Sequence, residues 1–239
     1  KTLRHRGPDW NGIYINEEKK VCVCHERLSI VGVNKGAQPI YENETDRNYV
    51  LTVNGEIYNH KGIREIILQD RYDFTTDSDC EVILHLYREL GTKFLNMLDG
   101  VFCFALYDSL ENNFLVARDP IGVNPLYYAV DKDGGVCFAS ELKAIREWSK
   151  EVEIKIFPPG HFMTNDLVLH RYYNPRWMLK EEIPQYNLDV SEVEICKKIR
   201  EGLTKSVEKR LMTDVPYGVL LSGGLDSSLI SSIASKLVK

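Results

Sequence analysis

The segment Ser222-Gly223-Gly224-Leu225-Asp226-Ser227-Ser228 gathers the residue types that hold phosphate. Two glycines leave the backbone bare, so amide N–H groups can approach phosphate oxygens. An apolar run from Tyr217 to Leu221 precedes them and a helical pattern follows, which aims a helix N-terminus at the same place. Ser222, Ser227 and Ser228 add hydroxyl donors. Asp226 alone would repel a phosphate, so its position makes sense with a Mg2+ ion between the two anions. The Gly-Lys-Ser/Thr ending of a Walker A loop is absent, so this is not a P-loop.

A second group of residues is dispersed. Arg4-His5-Arg6-Gly7-Pro8-Asp9-Trp10 is polar and then turns. His25-Glu26-Arg27-Leu28-Ser29-Ile30 and Asn54-Gly55-Glu56-Ile57-Tyr58-Asn59 each end an apolar stretch, and Thr76-Asp77-Ser78-Asp79 opens a helix. Taken singly these are weak signals. Asn54-Gly55 also makes a plain turn, and Asp79 a plain helix cap.

The elements that must position these residues can be read from periodicity. Lys20 to Glu26 alternates, and Tyr49 to Val53 follows a polar loop, Glu42 to Asn48. Further strands are expected at Val101–Tyr107, Phe114–Ala117, Leu126–Ala129 and Val136–Ala139. Short connections favour antiparallel pairing. Ile63, Ile66 and Ile67 form a helical stripe. Ser78-Asp79-Cys80-Glu81 is a capping-box pattern opening a helix with Val82, Ile83, Leu86, Tyr87 and Leu90 inward, stopped at Gly91. Polar residues from Arg176 to Asp189 read as a linker. A helix is then expected from Ser191 to Arg210, followed by a strand at Tyr217–Leu221, the glycine turn and a helix at Ser227–Leu237. Strand, turn and helix would begin a βα unit of the nucleotide-binding kind.

Composition sets the outer bounds. The 239 residues are 44% hydrophobic and 27% charged, ordinary for a folded soluble chain. A net charge of −5 and the absence of a polybasic run disfavour nucleic acid. No apolar run approaches the ~20 residues of a membrane span. The six cysteines form no Cys-x-x-Cys pair, and Cys22 and Cys24 share one face of their strand. They read as buried reduced thiols, which suits a reducing compartment. Residue 1 is Lys, with no initiator Met or signal segment, so the sequence is expected to be truncated at its start.

Together the motifs identify a family. The dispersed set resembles the class II glutamine amidotransferase domain, an N-terminal-nucleophile hydrolase. Arg118-Asp119-Pro120-Ile121-Gly122, Pro125-Leu126-Tyr127-Tyr128 and Phe138-Ala139-Ser140-Glu141-Leu142-Lys143 add to the likeness. The glycine loop resembles the PP-loop of ATP pyrophosphatases. The pair on one chain, with Asp214 to Leu221 leading into the loop, resembles the glutamine-hydrolysing asparagine synthetases. The resemblance implies an α+β, four-layer αββα sandwich over 1–175, a linker at 176–190, and the beginning of an α/β PP-loop domain at 191–239.

It also implies roles. Arg27 would hold the glutamine α-carboxylate, Asp79 the α-ammonium, and Glu56 would assist there. The Asn54 amide and the Gly55 N–H would form an oxyanion hole. Backbone of Leu28, Ser29, Ile30 and Val31 would line the pocket. Backbone near Leu220 and Ser222 would meet the adenosine of ATP, with Gly223, Gly224 and Ser227 cradling pyrophosphate and Asp226 reaching Mg2+ indirectly. The family nucleophile is an N-terminal Cys whose own amine acts as base, and none of the six cysteines occupies that position. Asp77 stands where the family often has Gly. The implied reaction takes ammonia from glutamine and transfers it to aspartate activated as β-aspartyl-AMP, giving asparagine, glutamate, AMP and pyrophosphate. A cytoplasmic enzyme, compatible with a homodimer, is expected. A β-lactam-synthetase-like ligase and an inactive glutaminase-like binding domain are the alternatives.

Overall fold

A computed structural model describes residues 2–44, 47–69, 71–178 and 191–238. The chain divides into two compact units, Lys1–Asn174 and Pro175–Lys239.

The first unit is α+β, and its sheets are antiparallel throughout. Strands β1 (Trp10–Asn16) and β2 (Val21–Arg27) form a ribbon. A six-stranded sheet contains β3 (Ile40–Glu44), β4 (Arg47–Ile57), β5 (Gly100–Asp108), β6 (Asn113–Arg118), β10 (His161–Met163) and β11 (His170–Arg171). Its spatial order is β11-β10-β6-β5-β4-β3. A three-stranded sheet has the order β8-β7-β9, from β7 (Tyr127–Val130), β8 (Val136–Ala139) and β9 (Lys155–Ile156). Two sheets were the expectation; among the described residues three are found, a two-stranded ribbon beside the two larger sheets.

Alternation along β5 and β6 gives the large sheet two apolar faces. Phe102, Phe104, Leu106, Leu115 and Ala117 join a core with Val82, Ile83 and Leu86 of helix α2 (Val82–Leu90) and with Phe94 and Leu95. On the opposite face Cys103 and Val116 pack with Leu126, Phe157 and Met163. A third cluster packs Ile145 of helix α3 (Leu142–Trp148) with Ala129 of β7 and Val152. Helix α1 (His60–Gly62) runs on into a π-turn at Ile63–Leu68, where the expected isoleucine stripe lies.

The excursion between β4 and β5 is pinned at its neck. Tyr58 N–H donates to Asp99 O at 2.8 Å. Asn59 Nδ2 donates to Met97 O at 2.8 Å and Asn59 Oδ1 accepts from Asp99 N–H at 3.0 Å.

Several local expectations need correction. The described residues of Glu42 to Asn48, expected as a loop, are strand. Residues 42–44 end β3 and 47–48 begin β4, in register through Asn43↔Asn48 and Glu44↔Arg47. Polar side chains at a sheet margin hide the strand from a hydrophobicity pattern. Cys22 and Cys24 do share a face, but the exposed one, because the ribbon turns Val21 and Val23 inward. The capping box at Ser78 is half made. Ser78 Oγ accepts from Cys80 N–H, but Glu81 turns to Thr75 and Thr76 instead of returning to Ser78.

In the second unit α4 (Glu192–Glu208) starts where expected, with Ser191 Oγ accepting from Glu194 N–H. Its Leu203 and Val207 face Ile230 and Ala234 of α5 (Leu225–Leu237) across an apolar hollow. Residues 217–221 form no strand: no ladder partner exists among the described residues, and Leu220 is 95% exposed. An isolated β-segment cannot satisfy its own backbone groups. The linker expected at 176–190 falls mostly outside the described residues, apart from a 3-10 turn at Arg176–Met178.

Past Leu51, β4 loses β3 as a neighbour, and side chains replace it. Gln38 Oε1 accepts from Val53 N–H at 2.7 Å, and Gln38 Nε2 donates to Val53 O at 3.1 Å. Gln38→Leu would strand both buried backbone groups, at a cost of about 2 kcal/mol or more. Urea unfolding should register that loss, and an unchanged midpoint would show that Gln38 is not an edge surrogate.

Candidate active site

The open edge of β4 organises the dispersed residues. Phe102, the partner of Gly55 in β5, directs its backbone to the other side: its N–H donates to Asp119 Oδ2 at 3.2 Å, and its carbonyl accepts from Asp119 N–H at 2.8 Å. Gly55 and Phe102 are therefore a non-hydrogen-bonded pair, and the Gly55 peptide groups face the open edge. Gly55 O lies 3.6 Å from Cys80 Sγ, a donor on that edge. Two residues on, Ile57 N–H donates to Asp79 Oδ2 at 2.7 Å. A side chain at Gly55 is excluded, since its Cβ would lie 2.1 Å from Val101 O.

Arg27, at the end of β2, is buried at 7% exposure. Its guanidinium donates to Val31 O (3.2 Å), Gly32 O (2.8 Å) and Val33 O (3.2 Å). It thereby winds the loop that contains Leu28, Ser29, Ile30 and Val31. Ser29 N–H is held by Asp9 Oδ2 at 2.8 Å, and Leu28 is exposed. Gly32 has φ +65°, and its missing Cβ would come 2.9 Å from Asp77 C. Asp77 N–H in turn donates to Lys35 O at 2.9 Å. A continuous chain of contacts thus runs from Arg27 through Gly32 to Asp77 and Ser78, then through Asp79 to Ile57 and Gly55. Residues spread over fifty positions meet at one strand edge.

Burial governs the local titrations. It lowers the Arg27 pKa, with Asp9 opposing; a guanidinium remains charged regardless. It raises the Asp79 pKa, opposed by the Ile57 N–H. Burial also lifts the Cys80 thiol well above its ordinary range and Cys103 to about 12. Neither buried thiol is a ready nucleophile, since thiolate is the reactive form.

Sequence reasoning missed three supports. Glu81, 1% exposed, accepts four hydrogen bonds, from the N–H and hydroxyl of both Thr75 and Thr76 at 2.5–3.0 Å. That shapes the turn carrying Asp77 and Asp79. Arg64 donates to Ser78 O at 2.8 Å and lies over the Phe74 ring, a cation beside Glu81, Asp77 and Asp79. It offsets the extra charge at Asp77. Asn124 donates from Nδ2 to Asn54 O at 2.7 Å. A capping-box pattern explained Glu81 too readily, and nothing local marks Arg64 or Asn124.

The glycine loop belongs to the second unit. Gly223 has φ +84°, a conformation suited to glycine. Gly224 is the N-cap of α5 without a side-chain cap, so first-turn N–H groups have no partner within the helix. Ser222 Oγ lies 2.9 Å from Ser227 Oγ, which also contacts Gly224 O at 3.1 Å. Asp226 sits in the first helical turn, and Leu220 precedes the loop in chain without regular secondary structure. This donor set fits a phosphate. Among the described residues no group of three or more His, Cys, Asp or Glu is arranged for a metal ion. No helix among them is long and apolar enough to cross a membrane.

A model of the glutamine amidotransferase domain matches residues 1–173, and one of asparagine synthase matches 198–239. The chain belongs to the glutamine amidotransferase domain family. It is 50% identical over 98% of its length to the probable glutamine-hydrolyzing asparagine synthetase of Dictyostelium discoideum, covering 41% of that protein. It is 51% identical over 99% of its length to that of Schizosaccharomyces pombe, again covering 41%. The glutamine-hydrolyzing asparagine synthetase B of Escherichia coli K12 is 47% identical over 99% of this chain, which covers 40% of it. The chain thus spans about two fifths of these relatives. Among solved structures, that of the allosteric regulatory enzyme of purine biosynthesis aligns with TM-score 0.54 and 22% identity, covering 91% of this chain and 51% of that one. That likeness concerns the fold alone.

One titration can be checked directly. His25 Nδ1 lies 2.9 Å from Thr52 Oγ1. Burial, reinforced by Arg27, holds its pKa down to about 4 from 6.5. The unfolded chain binds this proton first, so stability contributed by neutral His25 is complete above about pH 6.5 and lost as pH falls towards about 4. Urea midpoints measured across that range should fall less steeply for His25→Gln; an identical slope would contradict the assignment.

Proposed function

We propose that this chain is the glutaminase part and the first ATP-contacting turn of a glutamine-dependent asparagine synthetase. The observation that carries the reading is the union on one chain of matches to a glutamine amidotransferase domain and to asparagine synthase. The three core clusters support a four-layer αββα arrangement for the first unit. The glycine turn entering α5 supports a PP-loop. The domain limits are those read from sequence: glutaminase 1–175, linker 176–190, synthetase from 191.

In this reading Arg27 and the loop it winds receive the glutamine α-carboxylate. Arg27 uses three carbonyls, leaving part of its five-donor fork for the ligand. Asp79 and Glu56 answer the α-ammonium. The side-chain amide is thereby set at the open edge of β4, where the Gly55 N–H and the Asn54 amide meet the oxyanion that forms as the nucleophile attacks. The nucleophile is the N-terminal cysteine of the family, a residue not among these 239. Its thiol adds to the amide carbon, ammonia leaves, and water releases glutamate from the thioester. The full-length gene should encode Met-Cys at its start; another residue after Met would remove this mechanism.

In the second unit Leu220 and Ser222 backbone would meet the adenosine of ATP, and Gly223, Gly224 and Ser227 its β and γ phosphates. Asp226 would share with the phosphates a Mg2+ ion lying between the two anions. ATP supplies the adenylyl group that activates aspartate. A cytoplasmic location and compatibility with a homodimer belong to the same proposal.

Kinetics on the full-length enzyme test the two halves separately. Arg27→Ala removes a charge-assisted contact worth about 1.5–3 kcal/mol, so KM for glutamine should rise by about tenfold or more while ammonia-dependent synthesis persists. Equal loss of both activities would overturn the assignment of Arg27 to glutamine. Asp226→Asn should impair synthesis from either nitrogen source and spare glutamine hydrolysis. The nucleotide products should be AMP and pyrophosphate; ADP and orthophosphate would exclude adenylation and the asparagine synthetase reading with it.

A further inference from the structure

Asn54 and Gly55 share one peptide group: the Asn54 carbonyl and the Gly55 N–H are its two ends. A trans peptide is planar, and these two ends point in opposite directions. The β4–β5 ladder already holds this carbonyl from the Cys103 side, so a second partner on it sets the tilt of the peptide and with it the aim of the N–H. We propose that Asn124 is a positioning residue for the oxyanion hole, holding the Asn54–Gly55 peptide by its carbonyl so that the Gly55 N–H faces the reacting atoms. The inference rests on the glutaminase reading of this site.

Asn124 Nδ2 donates to Asn54 O at 2.7 Å, a short contact between residues seventy positions apart. The loop that delivers it is over-determined. Arg118 donates to Asn124 O (2.8 Å), Gly122 O (2.9 Å) and Phe157 O (2.6 Å). Asp119, fully buried, accepts from the N–H groups of Phe102, Ile121, Gly122 and Val123 at 2.7–3.2 Å. Tyr172 Oη donates to Arg118 O at 2.8 Å. Gly122 at φ +67° leaves no room for a Cβ, which would approach Pro159 to 2.8 Å. These bonds leave Asn124 little freedom to turn away. The hydrogen bond also polarises the amide, which strengthens the N–H as a donor. Because Asn124 lies behind the peptide, on the opposite side from the Gly55 N–H, it acts through that peptide and not on substrate.

A positioning role makes a prediction that a merely structural one does not: the loss falls on the oxyanion and spares the ground state. In the full-length enzyme, Asn124→Leu should lower kcat for glutamine hydrolysis by about tenfold, less than the 10²–10³ expected from deleting an oxyanion donor outright. KM for glutamine should stay within about twofold. Affinity for glutamate γ-semialdehyde, whose aldehyde carbon accepts the nucleophilic thiol and whose oxygen becomes the oxyanion, should fall in proportion to kcat. Affinity for glutamate should not move, and ammonia-dependent synthesis should continue at the wild-type rate. Asn124→Asp keeps the shape and replaces the donor by an acceptor, so its loss should equal or exceed that of Asn124→Leu. Wild-type kcat in both variants, or parallel weakening of glutamate and semialdehyde binding, would overturn the proposal. Failure of the wild-type enzyme to release glutamate from glutamine would instead overturn the glutaminase reading beneath it.

Discussion

Everything at the site follows from a strand that outruns its neighbour. β4 extends to Ile57, but its pairing with β3 begins at Ile40↔Leu51 and covers only the residues before it. A buried backbone edge must still find partners. Gln38 takes both groups of Val53, Cys80 faces Gly55 O, and Asp79 takes the Ile57 N–H. The substitutes come from two segments, Gln38 on the approach to β3 and Asp79-Cys80 at the entrance to α2, so satisfying the edge draws both against β4. The pocket is the by-product of that gathering, and the Gly55 N–H belongs to the same row of groups.

The charges beside the site are held by hydrogen bonds and pairing against the cost of burial. Asp77, Asp79 and Glu81 lie within five positions, an arrangement that would repel itself in an apolar setting. Glu81 is answered by four hydrogen bonds from Thr75 and Thr76 and lies near His85, whose Nε2 is 3.7 Å away. His85 Nδ1 is 3.3 Å from Glu42, which also pairs with Arg88. These contacts raise the His85 pKa even though burial alone would lower it. The turn that carries Asp79 is thus set from behind by a mixed acidic and basic cluster.

Much of this was legible in the residues. Strands with strong alternation, such as Val101–Tyr107 and Phe114–Ala117, fall within one residue of β5 and β6 at each end. Helix α2 stops at Gly91, whose φ is +57°. What escaped was the margin of the sheet. Residues 42–44 and 47–48 are polar strand residues at the sheet margin, and Trp10–Asn16 carries alternation too mild to stand out. The exposed Cys22 and Cys24 show the limit of pattern reading: period two assigns residues to a face but not the face to the core. Tyr217–Leu221 fails for another reason, since a strand is a relation between segments and its partner must be present. Asn124 and Arg64 were illegible because their meaning lies in contacts of long sequence separation.

The pinned neck between β4 and β5 has a consequence for how this chain can vary in length. Tyr58, Asn59, Met97 and Asp99 fasten the excursion where it leaves and rejoins the sheet. The register of β4 on β5 is therefore independent of how much chain lies beyond the knot. Insertions between Leu68 and Phe74 would add loop entropy that grows only with the logarithm of length, roughly 0.6 kcal/mol per doubling, and would leave Asn54 opposite Cys103. The stretch from Thr75 to Asp79 has no such freedom, because one added residue would carry Asp79 past Ile57. Over long divergence, length should drift on one side of Phe74 and stand still on the other.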